Sequence, residues 1–150
     1  MTQLLAIVAV TLMGATLAFS SMRTASVERS TTIHAAPERI VRLIENFYIW
    51  RAWSPYERQE PMRKRSYSGP SRGRGAVYAW EGGRMEILDS SRSQVMIKLD
   101  FTKPFKRQTV AQFKLEPHGD TTRLTWAMPG RDPWPDFQVG LQNLKAIAEK

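Results

Sequence analysis

The residues able to do chemistry are few. His34 and His118 are the only two histidines among 150 residues, and cysteine is absent. That absence excludes a thiolate nucleophile, a disulfide framework and a cysteine zinc site. Both histidines fall at strand ends or turns, outside any HExxH-like spacing, so they do not read as metal ligands. Either could serve as a general base, but the sequence sets no nucleophile or acid beside it. Ser54-Pro55 and Ser68-Gly69-Pro70 are turn signals rather than nucleophile elbows. Glu81, Glu86 and Asp100 are strand carboxylates whose separation the sequence does not fix, so they define no acid/base pair. The run GPSRGRG at 69–75 lacks the strand–turn–helix setting of a phosphate loop. No catalytic residue, metal ligand or cofactor is assigned from these residues.

Aromatic surface is abundant by comparison. The stretch FYIWRAWSPY, Phe47–Tyr56, holds five of the fifteen aromatic residues. Arg51 and Pro55 interrupt it, so it is neither a smooth strand nor one helix. Such a cluster is core, partner surface or the wall of a ligand site, and the elements around it decide which.

Val27–Ala35 alternates, with Val27, Arg29, Thr31 and Ile33 on one parity, and predicts a strand. Pro37 suits a first helical position and Glu38 a first turn. Ile40, Leu43, Ile44 and Phe47 follow at i, i+3, i+4 and i+7, which predicts an amphipathic helix. The aromatic stretch begins where this helix ends. Beyond Pro61 the pattern turns to β, with a basic strand over Met62–Gly69 and a glycine-rich loop after it. Strands over Ala76–Glu81 and Arg84–Asp89 flank a two-residue turn, Gly82-Gly83. Further strands follow over Gln94–Phe101, Arg107–Glu116 and Thr121–Met128. Pro135 and Asp136 open a last helix with the stripe Phe137, Leu141, Leu144 and Ala148. The order predicts an α+β fold: a strand, a helix and about six more antiparallel strands, the curved sheet wrapping the C-terminal helix.

Such a sheet leaves concave space, the natural site for a ligand. Trp50 and Trp53 either wall that space or plug the end of the core, and at least one is a plug. Tyr78 and Trp80 share a parity on a central strand, and Tyr78 brings a hydroxyl to orient a ligand. Met85, Ile97, Leu99, Phe101, Phe113, Trp126 and Met128 supply the apolar inner faces. Phe137 and Leu141 supply the helix side. These residues serve the core as well as a ligand.

The formal net charge of +8 favours anionic partners without choosing among them. Between Arg51 and Arg74 lie seven Lys/Arg against only Glu57 and Glu60. The set MRKRSYSGPSRGRG reads as a solvated edge strand or a face toward an anionic membrane, ahead of a nucleic-acid surface. Leu4–Phe19 is sixteen residues without a charge, and 4–22 approaches the length of a membrane helix. Residues 1–23 therefore read as an N-terminal hydrophobic helix, a membrane anchor or a cleaved signal, and 24–150 as the domain. Arg23 and Arg29 after the apolar run place an anchored domain on the cytoplasmic side, with export after cleavage as the alternative.

Taken together, VERSTTIHAAPERIVRLIENF, WRAWSPYE, YSGPSRGRGAVYAWEG, GRMEIL, KLDFTKPF and TRLTWAM resemble bacterial SRPBCC proteins of the polyketide cyclase/dehydrase-like type. These belong to the START-like helix-grip superfamily. The resemblance covers roughly Val27–Met128 and the last helix. It implies a deep apolar cavity between sheet and C-terminal helix, and a hydrophobic or lipid-like ligand. It implies no reaction and no cofactor. Two segments, 81–84 and 128–135, are shorter than the family pattern and bear on the depth of the pocket. The expected function is a membrane-tethered binding domain for a hydrophobic small molecule, with no nucleic-acid partner. A cyclase/dehydrase-type enzyme and an interaction module with a collapsed cavity are the alternatives. Oligomeric state is not set by the sequence.

Overall fold

A computed structural model describes residues 26–130 and 136–150. The predicted apolar segment at 4–22 and Pro135 lie outside the described residues. Strand β1 (Ser26–Ile33) is followed by helix α1 (Pro37–Ile44), which opens on Pro37 and buries Ile40, Val41 and Ile44. The helix ends before Phe47, one turn earlier than the stripe predicts. Asn46 is the reason: its side chain accepts the Tyr48 backbone N–H at 3.0 Å and starts a separate 3₁₀ turn, Phe47–Ile49. Helices α2 (Trp50–Trp53) and α3 (Pro55–Gln59) follow. Between them Ser54 is extended, at ψ 122°, as a residue before proline prefers.

The sheet has seven strands in the order β1-β7-β6-β5-β4-β3-β2, every neighbouring pair antiparallel. Its remaining members are β2 (Ser66–Ser68), β3 (Val77–Trp80), β4 (Gly83–Ser90), β5 (Gln94–Phe101), β6 (Arg107–His118) and β7 (Thr121–Pro129). The C-terminal helix α4 (Phe137–Ala148) packs against β1, α1 and α2 through Phe137, Leu141, Leu144 and Ala148. This is the predicted helix-grip α+β architecture. Ile33, Ile40, Ile44, Trp53, Phe113, Leu124, Leu141 and Leu144 are wholly shielded from solvent. Each large apolar side chain so buried contributes roughly 1.5–3 kcal/mol.

Two local expectations are corrected. The basic strand Met62–Gly69 is a strand only over Ser66–Ser68, because residues 61–65 fold back around the Arg65 guanidinium. The hairpin turn is Glu81-Gly82, since Trp80 and Gly83 pair across the ladder. Gly83 is instead a site of close approach. A Cβ there would stand 2.6 Å from the Asp100 carbonyl oxygen and 2.8 Å from Trp80 Cζ2.

Candidate functional site

The ladder register sets the inner face of the sheet in rows. Tyr78, Met85 and Leu99 align across β3, β4 and β5, and Ile97 faces Ala111 in the next row. Ala111 has a methyl group where its inward neighbour on β6, Phe113, has a ring. Space therefore opens over the middle of the sheet. Helix α3 and residues 60–66 cover it, and the first turn of α4 closes one side with Phe137. The result is a cavity of about 1120 Å³. That is just above the range of small-molecule pockets, which run to about 1,000 Å³. Its deep wall is tight: Ile97, Phe137 and Trp126 keep 0%, 3% and 4% of their exposure. The open volume lies toward the mouth, whose rim carries Glu60, Met62, Lys64, Glu81 and Lys103.

The sequence-predicted ligand residues divide. Trp50, Tyr78, Trp80, Met85 and Ile97 line the cavity. So do Leu99, Phe101, Trp126, Met128 and Phe137. Trp53, Phe113 and Leu141 do not reach it; they lie wholly buried behind its wall. The two tryptophans of the aromatic stretch thus take different roles. Trp50 faces the cavity, its Nε1 donating to the Ile44 carbonyl at 2.8 Å. Trp53 is core, donating to the Leu43 carbonyl at 3.0 Å and set edge-on to Phe113 and Trp126. The expected site between sheet and C-terminal helix is displaced as well. Only Phe137 of α4 reaches the cavity, because Leu141 and Leu144 are sealed into the core.

A polar cluster that sequence reasoning missed holds the cover in place. Glu57 on α3 accepts the Tyr78 hydroxyl at 2.5 Å through Oε1 and Arg65 Nε at 2.6 Å through Oε2. Arg65 Nη1 donates to the carbonyls of Arg63 at 2.7 Å and Pro61 at 3.3 Å. Its Nη2 donates to those of Glu60 at 2.8 Å and Glu57 at 3.5 Å. All five guanidinium N–H groups therefore have an acceptor, the last of them weakly. The ion pair is buried, with side-chain exposure of 3% for Arg65 and 5% for Glu57. Burial pulls the Arg65 guanidinium down, but the Glu57 carboxylate outweighs it and holds the group above its ordinary value. Tyr78 is pushed up to about 12, first by burial and then by the hydrogen bond to Glu57. One signal for this cluster was visible: two glutamates inside a run of seven basic residues are candidates for internal pairing.

Arg63 ties the cover to the hairpin. Its guanidinium lies over the Trp80 ring, 5.5 Å from the centroid, and meets Glu60 at 2.8 Å. The remaining chemical candidates stand elsewhere. His34 and His118 are exposed at the ends of β1 and β6 and do not line the cavity. Glu86 and Asp100 pair with Arg84 and Lys98 on the outer face of the sheet, and Glu81 pairs with Lys103 on the rim. Among the described residues no group of three or more His, Cys, Asp or Glu is placed to hold a metal ion. A group suited to proton transfer titrates near the working pH. Tyr78, at about 12, is instead a neutral phenol whose proton is committed to Glu57.

A family model described as polyketide cyclase / dehydrase and lipid transport matches residues 24–149. No curated protein matches the sequence. Similar solved structures include protein MLL2253 from Mesorhizobium loti, at 14% identity and TM-score 0.61, covering 82% of this chain and 96% of that one. Protein CV1439 from Chromobacterium violaceum is 16% identical with TM-score 0.63, covering 83% and 97%. The Aha1 dimer from Colwellia psychrerythraea is 16% identical with TM-score 0.61, covering 83% and 96%. At such identities the likeness is one of fold. The sequence match spans nearly the whole described domain and agrees with a curved sheet gripping a C-terminal helix over a cavity. On that ground the chain belongs to the polyketide cyclase / dehydrase and lipid transport family.

Proposed function

We propose that this domain binds a hydrophobic or lipid-like small molecule in the cavity and is held beside a membrane by the apolar segment at 4–22. The carrying observation is a cavity of about 1120 Å³ walled by aromatic and aliphatic side chains, with its buried ion pair already self-satisfied. Burial of ligand surface drives binding, at roughly 25 cal/mol per Å² of apolar area. Trp50, Trp80, Met85, Leu99, Phe101 and Met128 are the contacts assigned to the apolar body. Tyr78 orients the ligand as a hydrogen-bond acceptor, its own proton being held by Glu57.

The mouth supports loading from a lipid surface. Met62 on the rim is 91% exposed beside Lys64, and Phe105, two residues beyond the rim's Lys103, is 80% exposed beside Lys106. Exposed apolar tips among cations match an anionic bilayer interface. Among the described residues no helix is long and apolar enough to cross a membrane. The proposed tether lies outside those residues, and its side of the membrane is proposed as cytoplasmic, with export as the alternative.

The test is direct. Residues 24–150 are purified, denatured and extracted, and the extract is searched by mass spectrometry for a stoichiometric apolar compound. Tryptophan fluorescence is titrated in parallel with fatty acids and aromatic polyketides. A bound compound or saturable quenching is expected. An empty extract with no quenching overturns the reading.

A further inference from the structure

The charged side chains around the cavity nearly cancel. Three carboxylates line it, Glu57, Glu60 and Glu81, and four cations, Arg63, Lys64, Arg65 and Lys103. Each carboxylate is already matched. Glu57 accepts Arg65 Nε at 2.6 Å under the cover. Glu60 Oε2 meets both Nε and Nη2 of Arg63, each at 2.8 Å. Glu81 accepts Lys103 Nζ at 2.6 Å, and the hydrogen bond from that ammonium holds its carboxyl below the usual carboxylate range. One cation is left over. Among the described residues, Lys64 makes no hydrogen bond or ion pair.

Lys64 is placed by its chain neighbours rather than by a partner of its own. Arg65 on one side is buried and donates back to the Arg63 carbonyl at 2.7 Å. Arg63 on the other side lies over the Trp80 ring. The Lys64 backbone is thus pinned to the cover, while the residue stays exposed on the rim. The interior offers an anion no such cation. Arg65 has its N–H groups committed to Glu57 and four carbonyls, and the Glu57 carboxylate lines the same cavity. Ile97, Ala111 and Phe137 make the wall beyond them apolar. A charge taken from water without a partner is costly, so a charged ligand keeps its charge at the mouth.

We propose that the ligand is an amphiphile with a single negative charge, of which a carboxylate is the simplest case. Its apolar body lies inside the cavity and its anionic head lies at the mouth beside Lys64. The site then carries equal numbers of opposite charges. A cationic head meets an unpaired ammonium instead, which selects against it. This inference rests on the ligand-binding reading above, and names the ligand class and its orientation in the same site.

The experiment uses the full chain with decanoate, methyl decanoate and decylammonium, which share an apolar chain and differ in the charge of the head. Affinities are measured by calorimetry at low and at high salt. Expected is binding of decanoate about fivefold tighter than decylammonium at low salt, the size of an exposed ion pair. High salt removes most of that preference. Lys64→Ala narrows it and Lys64→Glu reverses it, while both variants hold methyl decanoate as the wild type does. Arg74→Glu makes the same change in net charge as Lys64→Glu, beyond the end of β3 opposite Trp80, and leaves the preference in place. Equal affinity for the two charged probes, or tighter binding of decylammonium, overturns this inference and leaves the binding reading standing. So does a preference that Lys64→Glu leaves unmoved, or that Arg74→Glu moves as far. Binding of none of the three probes overturns both.

Discussion

Removing the Arg65 guanidinium tests how the cavity is covered. Arg65→Ala leaves the Glu57 carboxylate, 5% exposed, with Tyr78 as its one remaining partner in the cluster. It also takes a donor from the carbonyls of Glu57, Glu60, Pro61 and Arg63 at once, of which Glu60 keeps the Arg63 N–H at 3.2 Å. Breaking a buried pair by deleting one partner costs about 3–5 kcal/mol, against a total domain stability of roughly 5–15 kcal/mol. At roughly 3–5 °C per kcal/mol for a domain of this size, melting falls by about 10–20 °C. Denaturation followed by tryptophan fluorescence reads this directly. Arg65→Lys rescues little, because an ammonium cannot reproduce a planar fork shared among a carboxylate and four carbonyls. The double variant Glu57→Gln/Arg65→Met removes both charges, and its loss falls short of the summed single losses by about 2 kcal/mol or more. Should Arg65→Ala stay within about 1 kcal/mol of wild type, as a surface pair would, the cluster does not hold the cover. Additive losses would refute the buried-pair argument equally.

Three further outcomes are expected. Tyr78 titrates at about 12, above the unfolded value of about 10. Its contribution to stability is full below pH about 10 and is lost as pH rises through 12. Denaturation across that alkaline range shows the loss, Tyr78→Phe removes it, and a Tyr78 phenolate signal near 10 would contradict it. Gly83→Ala forces a methyl to 2.6 Å from the Asp100 carbonyl oxygen. It lowers the denaturant midpoint by the equivalent of about 2 kcal/mol or more, and a neutral result would show that both the Asp100 backbone and the Trp80 ring yield freely. Met62→Glu with Phe105→Glu abolishes co-sedimentation of residues 24–150 with phosphatidylserine vesicles while stability moves by no more than about 0.5 kcal/mol. Unchanged sedimentation would remove the lipid-facing mouth.

The regular elements were legible because their signal is local. Val95 and Ile97 on β5, Phe113 and Leu115 on β6, and the stripe Phe137, Leu141, Leu144 and Ala148 on α4 all follow their periods into the core. The cover was not legible, because it is built from contacts distant in sequence. Arg65 looks like an edge charge until Glu57, in a different element, is found beside it. Met62–Gly69 carries strand-compatible residues, yet one guanidinium collecting carbonyls bends its first half into a turn. Trp50 and Trp53 are three residues apart on one helical turn, and periodicity cannot tell which faces the cavity. Ala111 opens the space by what it lacks, which no motif records. Gly82-Gly83 reads as a turn, but the second glycine is fixed by the Trp80 ring above it.

The cover joins the sheet at two levels of unequal strength, and this bears on how a ligand enters. The inner level is the buried Glu57, Arg65 and Tyr78 cluster, shielded from water and bonded to four carbonyls of its own segment. The outer level is Arg63 over the Trp80 ring; across the mouth the Lys103–Glu81 pair, whose side chains are 64% and 84% exposed, joins two loops of the sheet itself. Exposed pairs are worth little and yield to salt. Separating the outer level exposes Trp80 and Phe101 and widens the mouth between Met62 and Lys103. Separating the inner level strands a buried charge. The outer contacts are expected to give way first, which would let an apolar molecule pass beside Met62 while Arg65 keeps the cover folded. High salt should accelerate ligand entry with little change in melting temperature. Faster entry accompanied by a large fall in melting temperature would place the opening at the inner cluster instead.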